Sequence, residues 1–299
     1  MTRLVDGRER NLLVDTIMTL VIVFALFCFT LPLIVILSAS FSSELSIMRE
    51  GYSLFPREFS LDAYRMVFGA SNSMVWSGYR TTIIVTVVGA SLSTFITILA
   101  AYPLSRKMFK FRSFLSLFVF LTMLLNGGIV PWYMVVTQWY GLRNNYMALI
   151  IPYLANVWNV FLLRNFMSSV PDALEESAMI DGAGNFRTLF SIFIPLCGPG
   201  IATITLFNVL MYWNDWWLGL MLLEGNKIVP LQLFLVRIMQ NLDFLAQSTR
   251  AANLASWGTI PAETVRMAIC ILAIGPIVFA YPFFQRHIVK GMLVGSVKG

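Results

Sequence analysis

The sequence has a single histidine, His287, and only 36 charged side chains of the Lys, Arg, Asp and Glu types in 299 residues. One imidazole leaves too few parts for a histidine-built metal centre or a Ser/His/Asp triad, and its plain reading is an interfacial side chain beside Arg286. The three cysteines, Cys28, Cys197 and Cys270, fall in separate apolar stretches without CxxC spacing, and are expected to be small buried hydrophobes. No G-x-x-x-x-G-K-[ST] phosphate loop occurs, so any nucleotide that drives this chain is expected on another one. No paired carboxylates or ligand cluster fall within the apolar stretches, and neither a catalytic residue nor a metal ligand is assigned.

What fills the space left by charge is apolar. Residues of the hydrophobic class make up 58% and charged ones 12%, against about 25% charged in a soluble globular domain. The mean hydropathy is +0.76, a membrane composition. A helix needs about 20 apolar residues to cross the hydrocarbon core. Six stretches meet that length, near 13–37, 81–104, 114–136, 146–166, 193–222 and 264–284, and predict an all-α polytopic protein. The fourth is interrupted by Asn156 and Asn159, and the fifth is long enough to tilt or project from the bilayer. Residues 13–37 imitate a signal peptide, with Arg3, Arg8 and Arg10 before them and Ser38-Ala39-Ser40 after. The run exceeds the roughly 7–15 residues of a signal core, so a retained first span is expected.

The net charge of +6 does not point to nucleic acid, because the cations are scattered between spans rather than gathered on one soluble face. Arg3, Arg8 and Arg10, then Arg106, Lys107, Lys110 and Arg112, then Arg164 and Arg187, then Arg286, Lys290 and Lys298 account for twelve of the 21 Lys and Arg, all in the shorter, alternate loops. The positive-inside rule then puts both termini in the cytoplasm. The longer segments, roughly 40–79 and 223–263, face outward as small amphipathic elements. One transmembrane domain over 1–299 is expected, with an N-terminal segment 1–12, a core over 13–284 carrying a cytoplasmic loop 168–195, and a cytoplasmic tail 285–299.

That loop runs Ser168-Ser169-Val170-Pro171-Asp172-Ala173-Leu174-Glu175-Glu176-Ser177-Ala178-Met179-Ile180-Asp181-Gly182-Ala183-Gly184 and on to Ile192-Phe193-Ile194-Pro195. It predicts two short helices joined by a glycine turn. Ser169 and Asp172 have capping-box spacing, Pro171 suits a first turn, and Gly182 or Gly184 can supply a left-handed stop. Leu174 and Ala178 share one face, with Met179 and Phe186 adding apolar surface and the acids projecting elsewhere. From the residues alone such a helix either docks on a partner or rests on the membrane surface.

Glu176-Ser177-Ala178, Gly182, Ile192 and Pro195 resemble the E-A-A, three residues, G, nine residues, I-x-L-P pattern of the inner-membrane permeases of binding-protein-dependent ABC importers. Ser177 replaces the middle Ala and Ile194 replaces Leu, both small changes. The ending from Tyr281-Pro282-Phe283-Phe284-Gln285-Arg286 to Lys298-Gly299 is similar to the maltose-type, or carbohydrate-uptake-1, permeases, particularly the branch for oligosaccharides such as alginate. The resemblance implies six spans, a second homologous permease, an extracytoplasmic solute-binding protein and a cytoplasmic ATPase dimer that binds ATP and Mg in place of this chain. It implies that Glu176, Ser177, Ala178, Gly182, Ile192 and Pro195 form the coupling helix seated in a groove of the ATPase. It also implies a bacterial inner-membrane location and a tail, 288–299, that reaches between the ATPase subunits; a frayed tail is the plain alternative.

For a substrate path, Tyr212, Trp213, Asn214 and Asp215 combine aromatic faces with hydrogen-bonding groups, which suits a sugar whose ring faces are apolar and whose edges are hydroxylated. An aromatic belt at the outer end of that helix explains the same residues. Asn126, Trp132, Asn156, Trp158 and Asn159 form a second set that either faces a cavity or bonds neighbouring helices. An ion-coupled secondary transporter would need repeats and more intramembrane carboxylates than Asp215. A carbohydrate importer permease is therefore expected, with a non-sugar solute as the alternative cargo.

Overall fold

The computed structural model describes residues 12–69, 72–125, 127–225, 227–251 and 262–295, and their regular structure is helical, with one isolated antiparallel bridge between Ser42 and Phe59. The helices are α1 (Leu12–Ser40), α2 (Glu44–Glu50), α3 (Asp62–Gly69), α4 (Asn72–Ser105), α5 (Arg112–Leu124) and α6 (Ile129–Met134), which runs on through a π turn to Trp139. Next come α7 (Tyr146–Ile150), α8 (Val157–Ser168), α9 (Asp172–Ile180), α10 (Asn185–Thr188), α11 (Ile194–Leu196), α12 (Gly198–Trp213), α13 (Trp217–Leu222), α14 (Leu231–Ala251) and α15 (Ala262–Gly295). The chain divides into two compact units, one of residues 1–70 and 241–272, the other of 71–240 and 273–299.

In the first unit the segment after α1 is pinned by backbone bonds, Ser60 N–H to Phe41 O at 2.8 Å and Ser43 N–H to Glu58 O at 3.0 Å. Phe41 stacks on Phe59, and the Tyr64 hydroxyl donates to Ser40 Oγ. The buried Glu44 carboxylate accepts from the backbone N–H of Glu263 and Thr264 and from the Thr264 hydroxyl, at 3.0, 2.9 and 2.8 Å. These are donors that the start of α15 cannot satisfy within itself, and the negative charge complements the positive helix end.

The second unit is built on α4, against which α12 and α8 pack. Its core joins Ile98, Ala101, Leu163, Met167, Phe193 and Ile204, all buried. Gly89 lets α4 approach α12 closely, since a Cβ there would lie 2.7 Å from the Tyr212 ring.

Among the described residues two helices, Val14–Ser40 and Met74–Ser105, are long and apolar enough to cross a membrane, and the number rises to five if each of three bent pairs is one span. The Val14–Ser40 segment buries none of its most apolar window within this chain, and Cys28 is exposed on it, so the expectation of three buried cysteines holds for Cys197 only, with Cys270 half-buried. The apolar run at 146–166 bends by 50° between Tyr153 and Val157, where Asn156 Oδ1 accepts from Asn159 N–H at 3.2 Å and starts a new helix. The run expected as one helix over 193–222 is broken twice. It turns by 83° at Cys197, between Pro195 and Pro199, which have no N–H to continue a helix. It stops again at Asn214 before α13. The expected span 264–284 lies on α15.

Candidate functional site

The loop 168–195 folds into α9, a glycine turn, α10, a π turn over Leu189–Phe193 and α11. The expected capping box does not form. The N-cap is Pro171, so Asp172 is the first helical residue and Ser169 lies two residues outside, its hydroxyl turned back to Phe166 O at 2.7 Å. Asp172 instead takes a 2.6 Å bond from Lys107 Nζ, and this ammonium holds its carboxyl below the usual carboxylate range. At the other end Gly182 has φ +74°, its N–H bonds Met179 O at 3.0 Å, and Ala183 N–H bonds Ala178 O at 2.8 Å. That pair of bonds is the Schellman arrangement, which needs a left-handed residue at this position and favours glycine.

The buried face of α9 is not the expected one. Ala178 is buried, but Leu174 is 42% exposed, and the second buried residue is an acid, Glu175. Its Oε2 accepts from Arg106 Nη1 at 2.9 Å, both side chains being less than a tenth exposed. Arg106 follows α4. Its Nη2 donates to Met167 O near the end of α8 at 2.9 Å, its Nε to Ser105 Oγ at 3.1 Å, and its guanidinium lies 3.9 Å from the Phe193 ring centre. Arg164 on α8 reciprocates, its Nε donating to Leu104 O at 3.0 Å. Each arginine thus bonds a carbonyl near the end of the other's helix, Met167 O also accepting from Val170 N–H at 3.3 Å. Sequence reasoning counted Arg106 as a topology charge and missed its role, because nothing in the spacing marks position 175 as facing inward.

The motif residues fall on both sides of this anchor. Glu176 and Ser177 are exposed, with the Ser177 hydroxyl returned to Ala173 O at 2.8 Å. Gly182 is exposed, Ile192 packs on the core at its edge, and Pro195 is exposed in α11. Beside them Leu174, Met179, Ile180 and Phe186 present apolar surface that the described residues do not cover, Ile180 at 87% exposure.

The polar and aromatic set is drawn into separate bonds rather than one open site. Asp215 Oδ1 accepts from the Tyr153 hydroxyl at 2.9 Å and faces Leu218 N–H at the start of α13. Buried Tyr212 donates to Ile150 O at 2.9 Å, Trp213 Nε1 donates to Ala273 O at 3.0 Å, and exposed Asn214 turns back to Leu210 O. Asn159 Nδ2 bonds Asn208 Oδ1 at 2.8 Å, and Asn208 Nδ2 bonds Thr94 Oγ1 at 3.1 Å, a buried chain linking α8, α12 and α4. Asn208 and Thr94 went unnoticed in the sequence because Asn208 stands inside an apolar run and Thr94 is one of several small hydroxyl residues, with Ser91, Ser93 and Thr97, that a membrane helix carries without a mark of function. Asn156 caps α8, Trp158 is exposed, and Trp132 lies 4.7 Å from Trp217, ring centre to ring centre, beside a recess lined by Thr122, Met123, Pro131 and Val135. Asn126 lies outside the described residues.

Comparison with known proteins gives a consistent result. The family model for binding-protein-dependent transport system inner membrane components matches residues 93–294. The chain is 37% identical over 281 residues to the polygalacturonan/rhamnogalacturonan transport system permease protein YtcP of Bacillus subtilis, covering 93% of this chain and 95% of that one. It is 36% identical over 270 residues to protein LplC of the same organism, covering 90% and 89%. Among solved structures, a bacterial ABC transporter involved in the import of the acidic polysaccharide alginate superposes with a TM-score of 0.77 at 28% identity, over 95% of this chain and 99% of that one.

Proposed function

Because this chain belongs to the binding-protein-dependent transport system inner membrane components, we propose that it is the permease subunit of an ATP-driven importer that carries a carbohydrate, specifically an oligosaccharide, across the bacterial cytoplasmic membrane. It is a transport subunit and not a catalyst: ATP and Mg belong to a separate cytoplasmic ATPase dimer, and cargo arrives on an extracytoplasmic binding protein. The carbohydrate reading is supported by relatives whose names refer to polygalacturonan, rhamnogalacturonan and alginate. Six spans over a single domain, both termini in the cytoplasm, and a second homologous permease complete the assembly.

The observation that carries the reading is the exposed Glu176-Ser177 surface of α9, closed by the left-handed Gly182 and bordered by uncovered Leu174, Met179 and Ile180. An apolar patch with one carboxylate at its edge suits a groove with a basic residue at its rim. Closure of the ATPase dimer then moves α9 and favours an outward-facing state, and hydrolysis resets it. Tyr212, Trp213, Asn214 and Asp215, with Asn126, Trp132, Asn156 and Asn159, are the candidate contacts along the path, where ring stacking and amide bonds match a sugar's two kinds of surface.

The test is ATP hydrolysis by the permease–ATPase complex in lipid with loaded binding protein, comparing wild type with Glu176→Lys and Gly182→Asp. Loss of stimulated hydrolysis or of ATPase association is expected in both. Full stimulation and assembly in both variants would return α9 to the status of a surface connector.

A further inference from the structure

From the Arg106 and Glu175 geometry we infer that Arg106 is the joint through which a displacement of α9 reaches the transmembrane core, and that Glu175 is its handle on α9. The inference rests on α9 being the element that contacts the ATPase.

Glu176 and Ser177 point away from the chain and can only receive a force. Something behind them must pass it on. The turn that joins α9 to α10 is one route, but it runs through a single strand of backbone at Gly182 and Gly184 with no side chain to pack on the core. The direct route is lateral. Within one side chain of α9, Arg106 bonds Glu175, bonds the carbonyl of Met167, bonds Ser105 and lies over Phe193. Those groups belong to α9, the end of α8, the end of α4 and the turn that leads into α12. Phe193 is fully buried in the core cluster with Ile98, Ala101, Leu163 and Ile204, so a shift felt at its ring is a shift of the packing between α4, α8 and α12.

A guanidinium suits this task better than an ammonium would. It is planar, its donors leave in fixed directions, and its face can stack while its edge bonds. Burial sharpens the constraint, since neither charge can turn to water when α9 moves; the pair must travel together or separate at a large cost. Lys107 and Asp172, next to them in sequence, form an exposed pair that can exchange partners with solvent and so transmits little.

Arg106→Lys keeps the charge and removes the fork. The permease–ATPase complex carrying it is expected to assemble and to hydrolyse ATP at the basal rate, while the ratio of binding-protein-stimulated to basal hydrolysis falls on the order of tenfold, within the range of ordinary coupling between sites. Sugar transported per ATP consumed falls with it. The double variant Arg106→Met with Glu175→Leu removes both charges while filling the space, which guards against a fold lost to one unpaired buried charge. It too is expected to assemble and to lose stimulation. Wild-type stimulation in either variant overturns the inference, as does loss of assembly in both, which would reduce the pair to a structural anchor. If Glu176→Lys and Gly182→Asp lose coupling while the Arg106 variants keep it, only this inference fails; if all four behave as wild type, the docking role of α9 fails with it.

Discussion

Glu175 and Glu176 are adjacent and chemically identical, yet one is sealed against Arg106 and the other stands in the open. A helix turns by about 100° per residue, so neighbours face different ways and the bonding partner decides which acid goes in. The second ion pair of α9 shows the contrast and can be tested by pH. Lys107 lowers the Asp172 carboxyl below its ordinary value, so the pair stabilises the fold above the unfolded carboxylate range, and that contribution is lost as pH falls through the lowered folded value. Lys107→Met should therefore lower the melting temperature slightly at neutral pH and at low salt, and match wild type once the carboxyl is protonated in both. A difference that persists unchanged in acid would show that the ion pair is not its source. The motif residues were legible because the pattern spans twenty positions from Glu176 to Pro195. Glu175 was not legible: its inward turn depends on Arg106, 69 residues earlier, and no local periodicity records that bond.

At the scale of elements, the apolar runs marked where helical stretches lie but hid their breaks. Asn156 announced the bend before α8, because a polar residue able to cap a helix stood inside an apolar stretch. The turn at Cys197 sits among Pro195, Gly198 and Pro199 in sequence that hydropathy reads as continuous. Hydrophobicity measures transfer to lipid and is blind to a missing N–H. The packing of α4 on α12 was equally silent, since Gly89 looks like any glycine of a membrane helix until the Tyr212 ring is found against it. That ring cannot retreat, being 2% exposed with its hydroxyl tied to Ile150 O. Gly89→Val is expected to push α4 from α12 and cost about 1–3 kcal/mol, the usual range for overpacking a filled interior. Thermal unfolding of the purified permease in detergent measures it, and Ser91→Val, two residues on and on the exposed side of α4, serves as the control. Equal stability of the two variants would show that the close approach carries no energetic weight.

For the whole molecule the decisive quantity is the distribution of cations across the bilayer. Lys and Arg cluster in the short loops that hold Arg106 to Arg112 and Arg164 to Arg187, and the longer segments near 40–79 and 223–263 dilute theirs among acids and aromatics. A cation held on the wrong side costs energy at every insertion step, so the asymmetry orients the whole chain rather than one helix. In a background with Cys28, Cys197 and Cys270 replaced by serine or alanine, a cysteine placed at Ser53, between α2 and α3, should react with an impermeant thiol reagent added to intact cells if the proposed orientation holds. A cysteine at exposed Ser177 on α9 should react only after the membrane is opened, and should be shielded again when the ATPase is bound. Those two results together fix the side on which α9 lies and what covers it. The opposite labelling pattern would place α9 outside, where no ATPase could reach it, and the coupling role of Glu176, Gly182 and Arg106 would fall together.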